Sequence, residues 1–86
     1  MFVIMSYDVS QDRASKALKI ARKYLYPVQR SLFQGYLTDK QLLQLQKEIA
    51  QFADPDEDKV IFYKSPDCNV PQIDEFGPET ELDMIL

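Results

Sequence analysis

The sequence predicts an α+β fold in which two helices pack on a four-stranded antiparallel sheet in the order βαββαβ, with a C-terminal tail strand. Three observations predict it. Four short runs are rich in apolar, β-branched and aromatic residues. Two amphipathic segments with helical spacing separate the first run from the second and the third from the fourth. At 86 residues, the chain has room for one domain.

The first run, Phe2-Val3-Ile4-Met5-Ser6-Tyr7, reads as a buried strand ending at Asp8. Val9–Gln11 is a turn, with Ser10 as the expected helix cap. From Asp12 to Leu25 a helix is expected. Ala14, Ala17, Leu18, Ala21 and Leu25 share one face, and Arg13, Lys16, Lys19 and Lys23 lie broadly opposite. Asp12 falls in the first turn, where the helix dipole favours an acid. Pro27 stops the helix and pushes Tyr26 toward extended geometry.

Val28–Phe33 alternates apolar and polar residues, as a half-buried strand does. A corner is expected at Gln34-Gly35, with Tyr36-Leu37 continuing as a short strand. Thr38 and Gln41 have capping-box spacing, so a second helix should start there and run to about Phe52. Its core stripe is Leu42, Leu45, Ile49 and Phe52. After an acidic loop, Lys59–Lys64 is the fourth strand. Residues 1–64 thus form the domain, and 65–86 an acidic arm expected to reach the partner protomer. Within the arm, Ser65–Thr80 is expected to be irregular, because it carries Pro66, Pro71, Gly77 and Pro78. Leu82–Leu86 should be a small strand on the partner's sheet edge.

This element order is the split βαβ pattern of ferredoxin-like folds. Such a sheet carries its helices on one face. A water-facing second face should alternate cleanly, but Phe2–Met5 and Val60–Tyr63 are apolar at both parities. A second copy of the chain is the expected cover, giving a symmetric homodimer.

Composition narrows the chemistry. The chain has no histidine, which removes Ser-His and Cys-His catalysis and the commonest zinc ligand. The single Cys68 cannot form an internal disulfide and fits a reducing, cytoplasmic setting. No apolar run is long enough to span a bilayer, and the N-terminus opens on a strand-like run without a signal peptide's basic start. Net charge is −4, but unevenly spread. Met1–Leu37 holds six cations against two acids, and Thr38–Leu86 four against twelve. Screening confines fields to about 8 Å at physiological salt, so a basic helix on an acidic protein can still meet phosphate.

Two separate motifs then resemble one family. A first strand ends in Tyr7-Asp8-Val9 before a basic helix. Val28-Gln29-Arg30-Ser31-Leu32-Phe33-Gln34-Gly35-Tyr36-Leu37-Thr38 follows, and later Asp58-Lys59-Val60-Ile61-Phe62-Tyr63. This is similar to the CRISPR-associated protein two family, over Met1 to about Lys64. The resemblance implies a ferredoxin-like homodimer that sits between integrase dimers during spacer acquisition and binds duplex DNA. It also implies Mg²⁺-dependent endonuclease activity on single-stranded RNA or duplex DNA, with the metal-binding aspartate at Asp8. The family's Ser-Val-Phe-Glu-Gly appears here as Ser31-Leu32-Phe33-Gln34-Gly35, so a neutral Gln34 replaces an acid. Pro27 stands where some members carry Arg. These departures bear on nuclease activity more than on the fold or the scaffold role.

Asp8 is therefore the candidate catalytic and metal residue. Mg²⁺ takes oxygen ligands and keeps several waters, so two Asp8 carboxylates across a dimer axis would share one ion. The competing role for Asp8 is capping the turn or pairing with Arg13. Arg13, Lys16, Lys19, Lys23 and Arg30 are the candidate nucleic-acid contacts, with solvated surface charge as the alternative. Tyr7, Ser31 and Phe33 are supporting residues. Core packing suits the two aromatics and a structural hydroxyl suits Ser31. The rival functions are a toxin-type ribonuclease of the same fold and a DNA-binding scaffold without catalysis.

Overall fold

The computed structural model describes residues 1–65 and 72–78. Its elements are β1 (Phe2–Asp8), α1 (Gln11–Tyr24), β2 (Tyr26–Gln29), β3 (Leu32–Tyr36), α2 (Asp39–Phe52), β4 (Lys59–Ser65) and β5 (Gln72–Phe76). The sheet has five strands in the order β2-β3-β1-β4-β5, every pair antiparallel. The first four strands keep the ferredoxin-like arrangement, and β5 extends it beyond β4.

One sheet face carries the core. Val3, Met5 and Tyr7 of β1, Phe33 of β3, and Val60 and Phe62 of β4 are buried beneath the helices. Ala17, Ile20 and Ala21 of α1 and Leu42, Leu45 and Ile49 of α2 complete it. Each large side chain buried this way contributes about 1.5–3 kcal/mol. The small alanines let α1 approach the strands closely. Thr38 and Gln41 form the capping box at the start of α2. The Gln41 N–H donates to Thr38 Oγ1 at 3.1 Å, and the Thr38 N–H to Gln41 Oε1 at 2.9 Å.

Three expectations are corrected. The β2–β3 turn falls at Arg30-Ser31, not at Gln34-Gly35. Ser31 takes the left-handed φ of 62°, and Gly35 lies inside β3 opposite Val3. Val28–Phe33 is thus not one strand. Turning at Arg30-Ser31 sets Phe33 opposite Met5 and buries it. Space at Gly35 is tight, because a Cβ there would lie 3.1 Å from Leu25 Cδ2, the tip of a side chain that would have to shift by a few tenths of an ångström. The second correction is β5, a regular strand on the chain's own β4 inside the stretch expected to be irregular. The third is Ser10. It occupies the N-cap of α1 with extended backbone, but its hydroxyl makes no capping bond. The expected strand at Leu82–Leu86 lies outside the described residues.

The other sheet face carries no helix among the described residues. Phe2, Ile4 and Ser6 alternate with the core residues of β1, and Ile61 and Tyr63 do so on β4. Tyr63 is 38% exposed and Ile73 54%. Toward the other edge Tyr26 and Tyr36 are exposed, with Tyr36 set edge-on to Phe2 at 5.1 Å between ring centroids. No helix among the described residues is long and apolar enough to cross a membrane.

Candidate functional site

Asp8 is the last residue of β1 and is exposed. Its parity places it with Phe2, Ile4 and Ser6 on the helix-free face. Lys59 is its direct partner across the β1–β4 ladder. Lys59 Nζ nevertheless lies 2.6 Å from Glu75 Oε1 and donates to the Pro78 carbonyl at 2.5 Å. Among the described residues Asp8 has no ion-pair partner. Nor do these residues hold any group of three side chains able to ligate a metal. Among the described residues of one chain, Asp8 thus stands outside any three-ligand cluster. That fits an ion completed by waters, substrate phosphate and a second Asp8, and it does not fit a closed site within one chain.

Behind Asp8, Tyr7 turns inward. Its ring stacks on Phe33 at 6.1 Å, and its N–H donates to the Ser31 carbonyl at 3.1 Å. Burial raises the Tyr7 phenol above its ordinary pKa, against the lowering effect of a hydrogen bond with the Ser31 side chain. Tyr7, Ser31 and Phe33 thus come together as the support of the β1 end. They border a cleft of about 600 Å³ between α1 and the hairpin, with Leu18, Gln29 and Arg30 also on its wall.

The basic residues divide into two groups. Arg13 points inward. Its Nε lies 2.5 Å from Asp58 Oδ2 and its Nη2 3.1 Å from Asp58 Oδ1, with Glu57 also in reach at 3.2 Å. Asp58 is fully buried and also accepts from the backbone N–H groups of Ser10 and Asp54. These bonds hold its carboxyl at about 2, with the Arg13 hydrogen bond the largest cause. The carboxylate tying down the start of α1 is thus Asp58, not Asp8. Lys23 pairs with Glu48, which Tyr24 also reaches. Lys16, Lys19 and Arg30 are exposed without an ion pair among the described residues, and Lys16 lies 5.5 Å over the Phe52 ring. Arg22 joins them, exposed one helical turn beyond Lys19. The i,i+3 spacing from Lys19 was the available signal for Arg22. Asp58 had no local signal, because Arg13 and Ser10 lie 45 and 48 residues away.

A four-stranded ferredoxin-like core, an apolar sheet face without a helix among the described residues and an aspartate at the end of the first strand define a class of small ferredoxin-like α+β proteins. The comparisons narrow it. The family model for CRISPR associated protein Cas2 matches residues 1–72. The CRISPR-associated endoribonuclease Cas2 of Thermotoga maritima is 42% identical over 79 residues, covering 92% of this chain and 91% of its own. The Methanosarcina acetivorans protein of the same name is 31% identical over the full length of both. A crystal structure of Cas2 superposes with a TM-score of 0.71 at 32% identity, covering 81% of this chain and 84% of that one. Streptococcus pyogenes Cas2 gives 0.69 at 25%, covering 77% and 87%. The chain belongs to the Cas2 family of CRISPR-associated proteins.

Proposed function

We propose that this protein is a homodimeric subunit of CRISPR spacer acquisition that binds duplex DNA together with the integrase and carries Mg²⁺-dependent endonuclease chemistry at Asp8. The observation that carries the reading is Asp8 itself, an exposed carboxylate that has no ion-pair partner among the described residues and lies on the sheet face opposite the helices. Apposing two such faces covers Phe2, Ile4, Ile61 and Tyr63 and puts an Asp8 from each protomer on the same interface. Relatives named as endoribonucleases support phosphodiester chemistry.

Asp8 of both protomers would hold the ion. When bound, Mg²⁺ supplies positive charge to a phosphoryl oxygen and eases deprotonation of water. The chain's own contribution is positional. Strand pairing with Lys59 on one side, and the bond from the Ser10 N–H to Asp58 on the other, fix the backbone that carries Asp8. Lys16, Lys19, Arg22 and Arg30 would neutralise phosphates, and affinity would fall steeply with salt. Arg13, engaged with Asp58, supports the fold from within.

The test is cleavage of single-stranded RNA and of duplex DNA by the parent and by Asp8→Asn, with Mg²⁺ and with chelator. Loss of cleavage on substitution and on chelation, with the dimer and DNA binding retained, supports the reading. Normal cleavage by Asp8→Asn places the chemistry elsewhere. A parent inert with every divalent ion leaves a DNA-binding scaffold. Cleavage that needs no integrase and has no counterpart in spacer integration favours the toxin-type ribonuclease.

A further inference from the structure

Resting on the reading of Asp8 as a metal ligand, we infer that Glu75 and the Gly77-Pro78 turn keep that carboxylate available by drawing Lys59 away from it. Residues directly opposite on antiparallel strands have Cβ atoms about 4.5–5.5 Å apart, and opposite charges there normally pair. Asp8 and Lys59 are such a pair on one face. A lysine on Asp8 would compete with any cation for it.

The lysine goes the other way. Glu75 stands opposite Ile61 on β5, diagonal to Lys59 on the same face, and its Oε1 takes the ammonium at 2.6 Å. The Pro78 carbonyl accepts a second bond at 2.5 Å. The backbone puts that carbonyl in place. Gly77 adopts a φ of 109°, and a Cβ there would lie 2.0 Å from the Asp58 carbonyl oxygen. The turn after β5 is thus pressed against the start of β4, directly over Lys59. The lysine side chain is 17% exposed in this arrangement. Two acceptors on the segment that ends β5 therefore hold the cation paired with Asp8 across the β1–β4 ladder. Glu75 is a positioning residue, acting on the metal through Lys59.

The test reads metal binding without turnover. Mn²⁺, which shares the hard octahedral oxygen preference of Mg²⁺, is titrated into the intact protein and followed by electron paramagnetic resonance. The parent should bind in an Asp8-dependent manner, with Asp8→Asn as the reference. Glu75→Gln should weaken binding several-fold, on the order of fivefold, as expected if an exposed ion pair forms on Asp8. Adding Lys59→Gln to Glu75→Gln should restore parent affinity, and Lys59→Gln alone should bind at least as tightly as the parent. Asp74→Asn removes a charge from the same strand, but one bound to Lys64 and Gln46, and should leave Mn²⁺ affinity unchanged. The inference fails if Glu75→Gln binds like the parent, if it weakens binding no more than Asp74→Asn, or if Lys59→Gln alone weakens binding. If Glu75→Gln does not fold, Lys59→Gln alone decides. If the parent binds no Mn²⁺, or Asp8→Asn binds as the parent does, the metal-site reading falls and the inference with it.

Discussion

Replacing Asp58 with alanine tests the junction beneath the site. Asp58 is fully buried and accepts four hydrogen bonds, two from Arg13 and one each from the Ser10 and Asp54 N–H groups. Alanine leaves those donors without their acceptor at the point where α1, the α2–β4 loop and the end of β1 meet. Removing one partner of a buried pair costs about 3–5 kcal/mol. Arg13 retains Glu57 and is 24% exposed, so water reaches it and the loss should sit near the lower bound, about 3 kcal/mol. That is a large share of a small domain's stability, which is about 5–15 kcal/mol. For a domain of this size it corresponds to a fall of about 12–24 °C in Tm. Urea unfolding followed by circular dichroism at one fixed protein concentration measures it, with the slope unchanged. A loss below about 1 kcal/mol would refute the junction and reduce it to a surface ion pair. Combining Arg13→Ala with Asp58→Ala should show strong coupling, because each single change already breaks the bonds the two residues share.

Three further outcomes follow from the same geometry. Asp58 ionises at about 2 in the fold against an ordinary 3.8, so its contribution is complete above about 3.8 and is lost as pH falls toward 2. Acid titration of stability should therefore be steeper across that window in the parent than in Asp58→Asn. Charge reversal at Lys19 and Arg22 should weaken duplex DNA binding for any sequence and lower the salt slope by roughly 0.9 for each phosphate no longer neutralised, with an unchanged slope marking a solvated face. Gly77→Ala should destabilise the β4–β5 junction, since the new Cβ meets the Asp58 backbone at 2.0 Å with a φ of 109°. Parent-like melting of that variant would show that the turn relaxes freely.

Much of the frame was legible. The apolar runs of β1 and β4, the helical stripes of α1 and α2, and the Thr38–Gln41 box all depend on neighbours a few residues apart. The hairpin's position is not legible locally, because Val28–Phe33 alternates as a strand does, whereas the turn depends on Ser31 accepting a left-handed backbone. That lets Phe33 reach Met5. β5 was illegible because Gln72-Ile73-Asp74-Glu75-Phe76 carries two acids between prolines. Its strand is supported from elsewhere, with Lys64 and Gln46 holding Asp74 and Lys59 holding Glu75. Asp8 could be placed from its motif, but the fate of its neighbours could not. Whether Arg13 faces phosphate or Asp58 is decided by an interaction across 45 residues.

The most direct test of the account is a dimer with one Asp8. Differently tagged parent and Asp8→Asn chains are co-expressed, the mixed dimer is isolated through both tags, and its Mg²⁺-dependent cleavage rate is compared with that of the parent dimer. If the two carboxylates share one ion across the apposed sheet faces, removing either disables the whole site, and the mixed dimer should cleave at close to the background rate of the Asp8→Asn homodimer. A mixed dimer that retains half the parent rate would contradict the shared site and show that each protomer works alone.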